Sequence, residues 1–342
     1  MNVNQATGNF ETWLGEQLVA QGGLDTVALK LKHKAMKGEG GHAFLRATFY
    51  RWAQLWLAPE FAAPKLLSVG DTHVENFGAW RDAEGRLVWG VNDFDEVCEL
   101  PYTSDLVRLG VSARLAIKEL KEFETSMTEA CELVLRGYTE AIGGTLAPFV
   151  LAEDHADLTR LAQATVLAVP AEKFWKKKLK KTQPATGVPN AARKLLEDSL
   201  PEGSTQVEFR EVEELLNSPN RCPDPTQTLR DGWIVRRLAP DAMKIELGDL
   251  ASGHATQAEE EKLFKSMGAE LAHLHAGSGQ AREIMEGLSQ RLGQNTAWFD
   301  SAWARSRISL PWPRVSPADD CRPSWPADRQ LERPQERTRS AQ

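Results

Sequence analysis

One segment of the chain, from Val69 to Asp105, constrains the fold more than any other because short apolar runs alternate there with dense polar side chains. It reads VGDTHVENFGAWRDAEGRLVWGVNDFDEVCELPYTSD. The runs LLSV (66–69) and RLVWGV (86–91) are too short for buried helices and are bounded by turn residues, so we predict two strands that form a hairpin. Buried carboxylates are costly unless they are paired or bind a metal. The segment therefore predicts a functional cleft.

The spacing of the polar residues indicates a class of chemistry. Asn76 follows Asp71 by five positions, and Asp93 follows Asn76 by 17. In phosphoryl transfer, one carboxylate accepts the proton of the attacking hydroxyl, and an Asn and a further Asp hold magnesium against the phosphates. Mg²⁺ prefers hard oxygen ligands and takes only one or two carboxylates from the protein.

Simpler interpretations of the same residues stay open. Asp and Asn cap turns readily, so Asp71, Asn76 and Asp93 also fit a polar hairpin with Asx-turns. His73 fits a metal ligand, a catalytic group or a side chain that braces the loop. Asp95 and Glu96 fit either the metal site or solvated positions beyond the strand end.

Helical periodicity dominates the rest of the chain. Apolar spacings of three and four predict helices in the first 60 residues, with a break at GEGG (38–41), and again over 101–144, 155–200 and around Leu263–Leu274. His273 and His275 fall on different faces of the last helix, and His275 is expected to be a structural hydrogen-bonding residue. TQVEFREV (205–212) and GWIVRRL (232–238) are strand candidates. From Arg305 onward the chain has eight arginines, six prolines and no apolar period, which is typical of a disordered tail.

Composition excludes several functional classes. The formal charge of −7 argues against a dedicated nucleic-acid binder. No window approaches 18 consecutive apolar residues, so no membrane partner is expected. The lysine-rich run KFWKKKLKK (173–181) is interpreted as a solvated helix face. The four cysteines are far apart and the N-terminus has no signal-like apolar run, so we expect a cytoplasmic protein with reduced thiols.

These motifs resemble known families. GDTHVENFG is similar to the catalytic loop of aminoglycoside phosphotransferases and choline kinases, VNDFDE to their metal-binding strand end, and LPYTSDLVRL to the helix start that follows. The whole segment resembles the bacterial family DUF2252, grouped with protein-kinase-like folds. That likeness also takes in KHKAMKGEGGHAFLRAT, WIVRRLAPDA and AELAHLHAGSG.

The resemblance implies roles for individual residues. Asp71 would be the catalytic base, with His73 beside it as a second catalytic candidate. Asn76 and Asp93 would be ligands of Mg²⁺, and Asp95 would be a further acidic group at the metal. Asp105 would brace the catalytic loop. The enzyme would transfer a phosphoryl group from ATP to a hydroxyl of a small molecule or protein.

The resemblance also implies a fold: α+β, mostly helical, with the two lobes of a protein kinase. Because the catalytic loop arrives early and a Gly-rich loop with its lysine is missing upstream, the order fits a circular permutation. We expect a kinase-like domain over 1–304, made of N-terminal helices (1–65), a catalytic hairpin with a helical lobe (66–200) and a nucleotide lobe with returning helices (201–304), followed by a tail (305–342).

The nucleotide-binding cation stays undecided at this level. Arg236, Arg237 and Lys244 lie in the candidate nucleotide lobe, and Arg46 approaches from the N-terminal helices. Two other functions stay open. One is a metal-dependent phosphohydrolase, and the other is a catalytically inactive nucleotide-binding module. The oligomeric state and the choice between ATP and GTP are not predicted.

Overall fold

The protein is mostly helical with small antiparallel sheets, which confirms the α+β class. The structure is a computed structural model and describes residues 3–19, 24, 26–38, 40–56, 62–120, 123–151, 153, 155–164, 170–181, 210–230, 233–236, 239–240, 242–244, 255–277 and 279–292. The helices are α1 (Val3–Gln17), α2 (Thr26–Gly38), α3 (Gly41–Ala47), α4 (Phe49–Trp56), α5 (Thr103–Leu120), α6 (Met127–Ile142), α7 (Ala156–Ala164), α8 (Ala171–Lys181), α9 (Arg210–Leu216), α10 (Gln257–Gly277) and α11 (Ala281–Leu292). The strands are β1 (Lys65–Ser68), β2 (Phe77–Arg81), β3 (Leu87–Val91), β4 (Cys98–Pro101), β5 (Phe149–Val150), β6 (Thr228–Arg230), β7 (Trp233–Val235) and β8 (Met243–Lys244).

Both predicted strands of the central segment exist, but the predicted hairpin between them is wrong. β1 pairs with β4, whereas β3 pairs with β2, a strand that the sequence did not reveal. The true hairpin turns over Asp82, whose carboxylate accepts the backbone N–H groups of Glu84 and Arg86, and over Gly85 at φ 79°. β5 and β8 extend this hairpin into a sheet with the order β5-β3-β2-β8. The β2–β3 hairpin and the β1–β4 pair therefore belong to separate sheets, and the loop after β1 runs between them.

The strand predicted over 205–212 is wrong where the structure describes it, because Arg210–Leu216 is helical. Residues 205–209 lie outside the described residues. The sequence REVEELL is rich in helix formers, and it buries Leu215 and Leu216 while Val212 packs against the same core. The strand predicted over 232–238 is confirmed at Trp233–Val235, where it pairs with β6.

The core is built from α5, α6 and α10. All five residues of the apolar face predicted for α10 are fully buried: Leu263, Phe264, Met267, Leu271 and Leu274. α6 begins at a capping box, in which Ser126 accepts the Glu129 backbone N–H and Glu129 accepts that of Ser126. These helices form the support on which the hairpin and its polar loops rest.

The last two N-terminal helices, α3 and α4, pack against the same core. Gly40 has φ 97° at the predicted break, where α2 gives way to α3. In α4, the stacked indoles of Trp52 and Trp56 donate hydrogen bonds to Ser104 and Thr103 at the start of α5. Apolar spacing in the sequence continues the first helix face through Val19, but α1 ends at Gln17 and Val19 is 73% exposed, so Val19 does not belong to that face. α3 and α4 thus bring the N-terminal helices to the edge of the loop that follows β1.

Membrane crossing was tested on the helices of the described part of the chain. Not one of them combines the length and the apolar character that a bilayer span requires. The predicted tail over 305–342 lies outside the described residues, and the domain boundaries stay predictions.

Candidate active site

A cavity of about 360 Å³ opens beside the loop between β1 and β2. It is lined by Lys32, Ala43, Arg46, Ala47, Val69, Asp71, His73, Asn76, Asp93, Asp95 and Glu96. The structure therefore brings together every predicted catalytic and metal-binding residue, together with Arg46. Acidic and amide groups from the β1–β2 loop and from the segment after β3 meet here, and the cations Lys32 and Arg46 approach from α2 and α3.

Asp105, in the first turn of α5, fixes the loop that carries Asp71. The buried Asp105 carboxylate accepts the backbone N–H groups of Val69 at 2.7 Å and of Gly70 at 3.1 Å. Gly70 has φ 86°, and a Cβ there would lie 1.9 Å from the Glu96 carbonyl oxygen. Only glycine fits this close approach, so Asp105 and Gly70 together set the direction of the chain into Asp71.

Asp105 is held in turn by His275 of α10. His275 Nε2 lies 3.1 Å from Asp105 Oδ2, and its Nδ1 lies 2.8 Å from the Tyr138 hydroxyl. In the neutral tautomer that satisfies both contacts, Nε2–H donates to Asp105 and the Tyr138 hydroxyl donates to Nδ1. The expectation that His275 is a structural hydrogen-bonding residue is confirmed.

Asp71 makes an ion pair that sequence reasoning did not find. The fully buried guanidinium of Arg108 donates two hydrogen bonds to Asp71 Oδ1, one of them from Nε at 3.1 Å, and a third to the Leu45 carbonyl at 2.8 Å. The aromatic rings of Phe49 and Trp52 flank the guanidinium at 5.1 and 5.2 Å. The second carboxylate oxygen, Oδ2, lies on the side of His73, 3.9 Å from its Nε2. One oxygen of Asp71 is thus fixed, and the other is directed toward the loop.

The side-chain amide of Asn76 is held through its nitrogen, which leaves its oxygen for a ligand. Its Nδ2 donates to the carbonyl of Asp93 at 3.0 Å and lies 3.4 Å from that of Asp71. Because both partners are acceptors, these contacts assign the nitrogen and leave Oδ1 as the other atom of the amide. Oδ1 is buried and has no hydrogen-bond partner. An orphaned buried oxygen is costly, and a hard cation such as Mg²⁺ would satisfy it.

The acids after β3 differ in their exposure. Asp93 is half-buried at the strand end, while Asp95 is exposed at the mouth of the cavity. Glu96, left open between the metal site and solvent by the sequence, lines the cavity. Burial raises the pKa of Glu96 to about 8, with a further contribution from the negative charge of Asp71. Burial and the neighbouring acids Asp71 and Asp95 thus favour the neutral form of Glu96.

The raised pKa of Glu96 predicts how stability depends on pH. The carboxyl keeps its proton up to about pH 8 in the native state but ionises near 4.5 when unfolded. The native state thus binds more protons in this window, and the free energy of unfolding falls as pH rises through it. Glu96→Gln has no proton to lose in this range. We expect the free energy of unfolding of the variant, relative to the wild type, to rise by about 3 kcal/mol between pH 5 and pH 8 in urea unfolding with EDTA.

Glu99→Gln, at an exposed position on the neighbouring strand β4, serves as the control for this measurement. Its stability should follow the wild type across the same pH range. Parallel curves for the wild type and Glu96→Gln would contradict the assignment of the proton to Glu96.

The four predicted nucleotide-binding cations occupy different places. Arg46 lines the cavity and donates to Glu75 at 3.1 Å. Arg236 lines a second cavity of about 10 Å³ and donates to the carbonyl and side-chain oxygens of Asn92, next to Asp93. Arg237 lies outside the described residues, as does the side chain of Lys244, whose backbone pairs with Gly78. Lys32, from α2, was not predicted and lines the main cavity.

Two buried charged side chains, Arg221 and Glu270, hold the backbone of the strand end that precedes Asp93. Arg221 donates to the Val91 carbonyl at 2.6 Å, and its guanidinium lies 4.7 Å from the ring centroids of both Trp80 and Phe94. Glu270 of α10 accepts the Val91 backbone N–H at 3.1 Å. Arg221 lies in the proline-rich stretch NSPNRCPDPTQ (217–227), and no pattern in that stretch indicates a buried cation.

Comparison with protein-family models gives a match over part of the chain. Residues 24–186 match the model of a family described as "Uncharacterized protein conserved in bacteria (DUF2252)". The matched range contains the whole β1–β4 segment and the cavity residues from α2 and α3. A search of curated proteins and a search of solved structures gave no match. The match supports the resemblance to DUF2252 over these residues. The resemblance to protein-kinase-like folds has no such match and stays a prediction, and the family match carries no activity with it.

Proposed function

We propose that the protein is an ATP- and Mg²⁺-dependent phosphotransferase that acts on a hydroxyl group of a small molecule or protein. The observation that carries the proposal is the amide of Asn76. Its nitrogen is held by the backbone carbonyl of Asp93, with that of Asp71 near it, while its buried oxygen has no partner. This is the spacing and the donor chemistry with which kinase-like enzymes hold magnesium.

The residues present fit such an ion. Asn76 Oδ1 and the carboxylate of Asp93 would hold Mg²⁺, and Asp95 would lie near it at the mouth of the cavity. When bound, the ion would neutralise charge on the phosphate oxygens. Asp71 would accept the proton of the attacking hydroxyl through the oxygen that Arg108 does not hold. With Oδ1 fixed by a buried guanidinium, this carboxylate would be oriented without reorganisation during the reaction.

A kinase-like fold with permuted lobes is the second part of the proposal. It is supported by the position of the segment after residue 205 beside the hairpin. β8 pairs with β2 at Gly78 and Ala79, and Arg236 contacts Asn92 next to Asp93. Arg236 would be the cation of this segment that lies beside the proposed metal ligand Asp93. Strands of this segment that lay far from Asp93 would contradict the permuted fold.

Asp93→Asn tests the metal assignment directly. The substitution keeps the shape of the side chain but removes a charge that would face the ion. We expect Mg²⁺-dependent ATP binding, measured by isothermal titration calorimetry on the full chain, to weaken by about tenfold or more. Without Mg²⁺, the two proteins should bind ATP equally weakly.

Asp157→Asn is the matched control, since this exposed aspartate lies in the first turn of α7 and does not line the cavity. It should bind Mg-ATP as the wild type does. Equal Mg-ATP affinity in the wild type and Asp93→Asn would show that the metal assignment is wrong.

Mass spectrometry of the products then separates phosphoryl transfer from nucleotidyl transfer and from hydrolysis to free phosphate. Binding without turnover would indicate an inactive nucleotide-binding module.

A further inference from the structure

Two histidines and a glutamate meet next to the cavity, which one of them, His73, also lines. They are His42 from the first turn of α3 and His73 and Glu75 from the loop after β1. Each can offer one nitrogen or oxygen atom, and these three atoms all lie within 4.8 Å of one another. We propose that they form a binding site for a transition-metal ion of the Zn²⁺ type, separate from the Mg²⁺ site at Asn76 and Asp93.

The donor set decides the kind of metal. Imidazole nitrogens suit Zn²⁺, Co²⁺ and Ni²⁺, whereas Mg²⁺ selects oxygen ligands. Two imidazoles and one carboxylate are a common set of three protein ligands for zinc, and they leave the fourth position to water or a ligand. Tetrahedral ligands of zinc stand roughly 3.3 Å apart, as follows from metal–ligand bonds of about 2.0–2.1 Å. Glu75, the more exposed of the three, can close the remaining gap by a side-chain rotation.

Each of the three side chains is fixed by contacts outside the cluster. Glu119 of α5 accepts the backbone N–H groups of Gly41 at 2.6 Å and His42 at 3.1 Å, which anchors the start of α3. The His42 ring is 3.0 Å from the hydroxyl of Ser112, which also accepts the backbone N–H of Val74 in the loop. Such outer contacts orient the imidazoles that bind metals in proteins.

His73 and Glu75 have comparable supports. The buried ring of His73 lies edge-on to His42, and its Nε2 is 3.9 Å from the Asp71 carboxylate. Arg46 holds one carboxylate oxygen of Glu75 at 3.1 Å. The carboxylate of Glu75 supplies the negative charge of the donor set next to Arg46. The two imidazoles are thus held in place by their neighbours, and Glu75 needs only a side-chain rotation to complete the set.

His42 is also in the protonation state that a metal requires. Burial, with the positive charges of Arg46 and Arg108, lowers the pKa of His42 to about 4. A neutral imidazole keeps a nitrogen lone pair available for a metal, whereas an imidazolium does not.

The test uses the full chain, stripped of metal with EDTA and titrated with Co²⁺. We expect one Co²⁺ per chain, with the strong visible absorption of a tetrahedral nitrogen and oxygen site. His42→Ala and Glu75→Gln should each weaken Co²⁺ binding by about tenfold or more. His33→Ala is the matched control, because this histidine of α2 pairs with Glu11 and does not belong to the cluster. It should bind as the wild type does.

Asp93→Asn separates this proposal from the proposed function. It should keep the Co²⁺ site while it loses Mg-ATP binding. Thermal unfolding of each variant without metal shows whether it is folded. Glu75→Gln replaces a part-exposed side chain by one of the same shape, so this variant keeps the test valid if His42→Ala unfolds. No Co²⁺ binding in the wild type, unchanged binding in the folded cluster variants, or loss of binding in Asp93→Asn would each overturn a separate site.

Discussion

Replacing Arg108 by methionine is expected to lower the free energy of unfolding by about 3 kcal/mol or more. The guanidinium is fully buried and donates to both Asp71 and the Leu45 carbonyl. Methionine fills much of the same space but leaves the Asp71 carboxylate without its counter-charge and the carbonyl without its donor. Breaking a buried pair by removing one partner costs more than replacing the pair as a whole. Urea unfolding at pH 7 measures the difference.

A double-mutant cycle shows whether the cost comes from the ion pair. We expect Asp71→Asn to cost less in the Arg108→Met background than in the wild type, because the uncompensated charge is then removed as well. Arg282→Met on α11 is the matched control, since Arg282 is exposed and should change stability by less than about 0.5 kcal/mol. A cost for Arg108→Met below 1 kcal/mol, or equal costs of Asp71→Asn in the two backgrounds, would contradict the pairing.

The candidate site was predictable because most of its residues are close in sequence. Asp71, His73 and Asn76 share one loop, and one hairpin returns the chain to Asp93 beside them. Local spacing therefore contains the information. The error in strand pairing did not disturb this result, because β2 follows the loop directly and Asp93 follows β3 in either arrangement.

Arg108 could not be predicted in the same way. It lies 37 residues after Asp71 in a helix whose other residues look like an ordinary apolar core. Nothing in the local sequence distinguishes a buried arginine with three hydrogen bonds from one that reaches solvent at the helix surface. Arg221 is similar, since the Val91 carbonyl it contacts is 130 positions away. Contacts of this range depend on packing that no local pattern records.

The missed strand has a local reason. β2 is FGAWR, five residues with a glycine, two aromatic rings and a single charge, so neither an alternating pattern nor a β-branched run appears. It is a strand because β3 and β8 pair with it on both sides. The strand predicted over 205–212 is the reverse error. REVEELL contains the apolar spacing of a helix, but the preceding TQVEF favours a strand. The packing of the surrounding chain decides the structure of β2 and of α9 alike.

A single added carbon atom should also have a large effect on stability where α6 crosses α10. A Cβ on Gly268 would lie 1.9 Å from the Val134 carbonyl oxygen, and a Cβ on Gly137 would lie 1.8 Å from that of Lys265. In both cases the obstacle is helix backbone, which cannot rotate away as a side chain can. The two helices therefore approach as closely as they do because each has a glycine where the other crosses it.

Gly268→Ala is accordingly expected to destabilise the protein by about 3 kcal/mol, the upper end for an added methyl group in a packed core. Alanine normally favours a helix over glycine, so the predicted sign is opposite to the helix propensity. Gly8→Ala in α1 is the matched control, because nothing lies within 4 Å of its Cβ and the same exchange should be neutral or stabilising there. Urea unfolding of the two variants gives the comparison. If Gly268→Ala were as stable as Gly8→Ala, α6 and α10 could not cross at the distance that brings His275 to Asp105, next to the loop that carries Asp71.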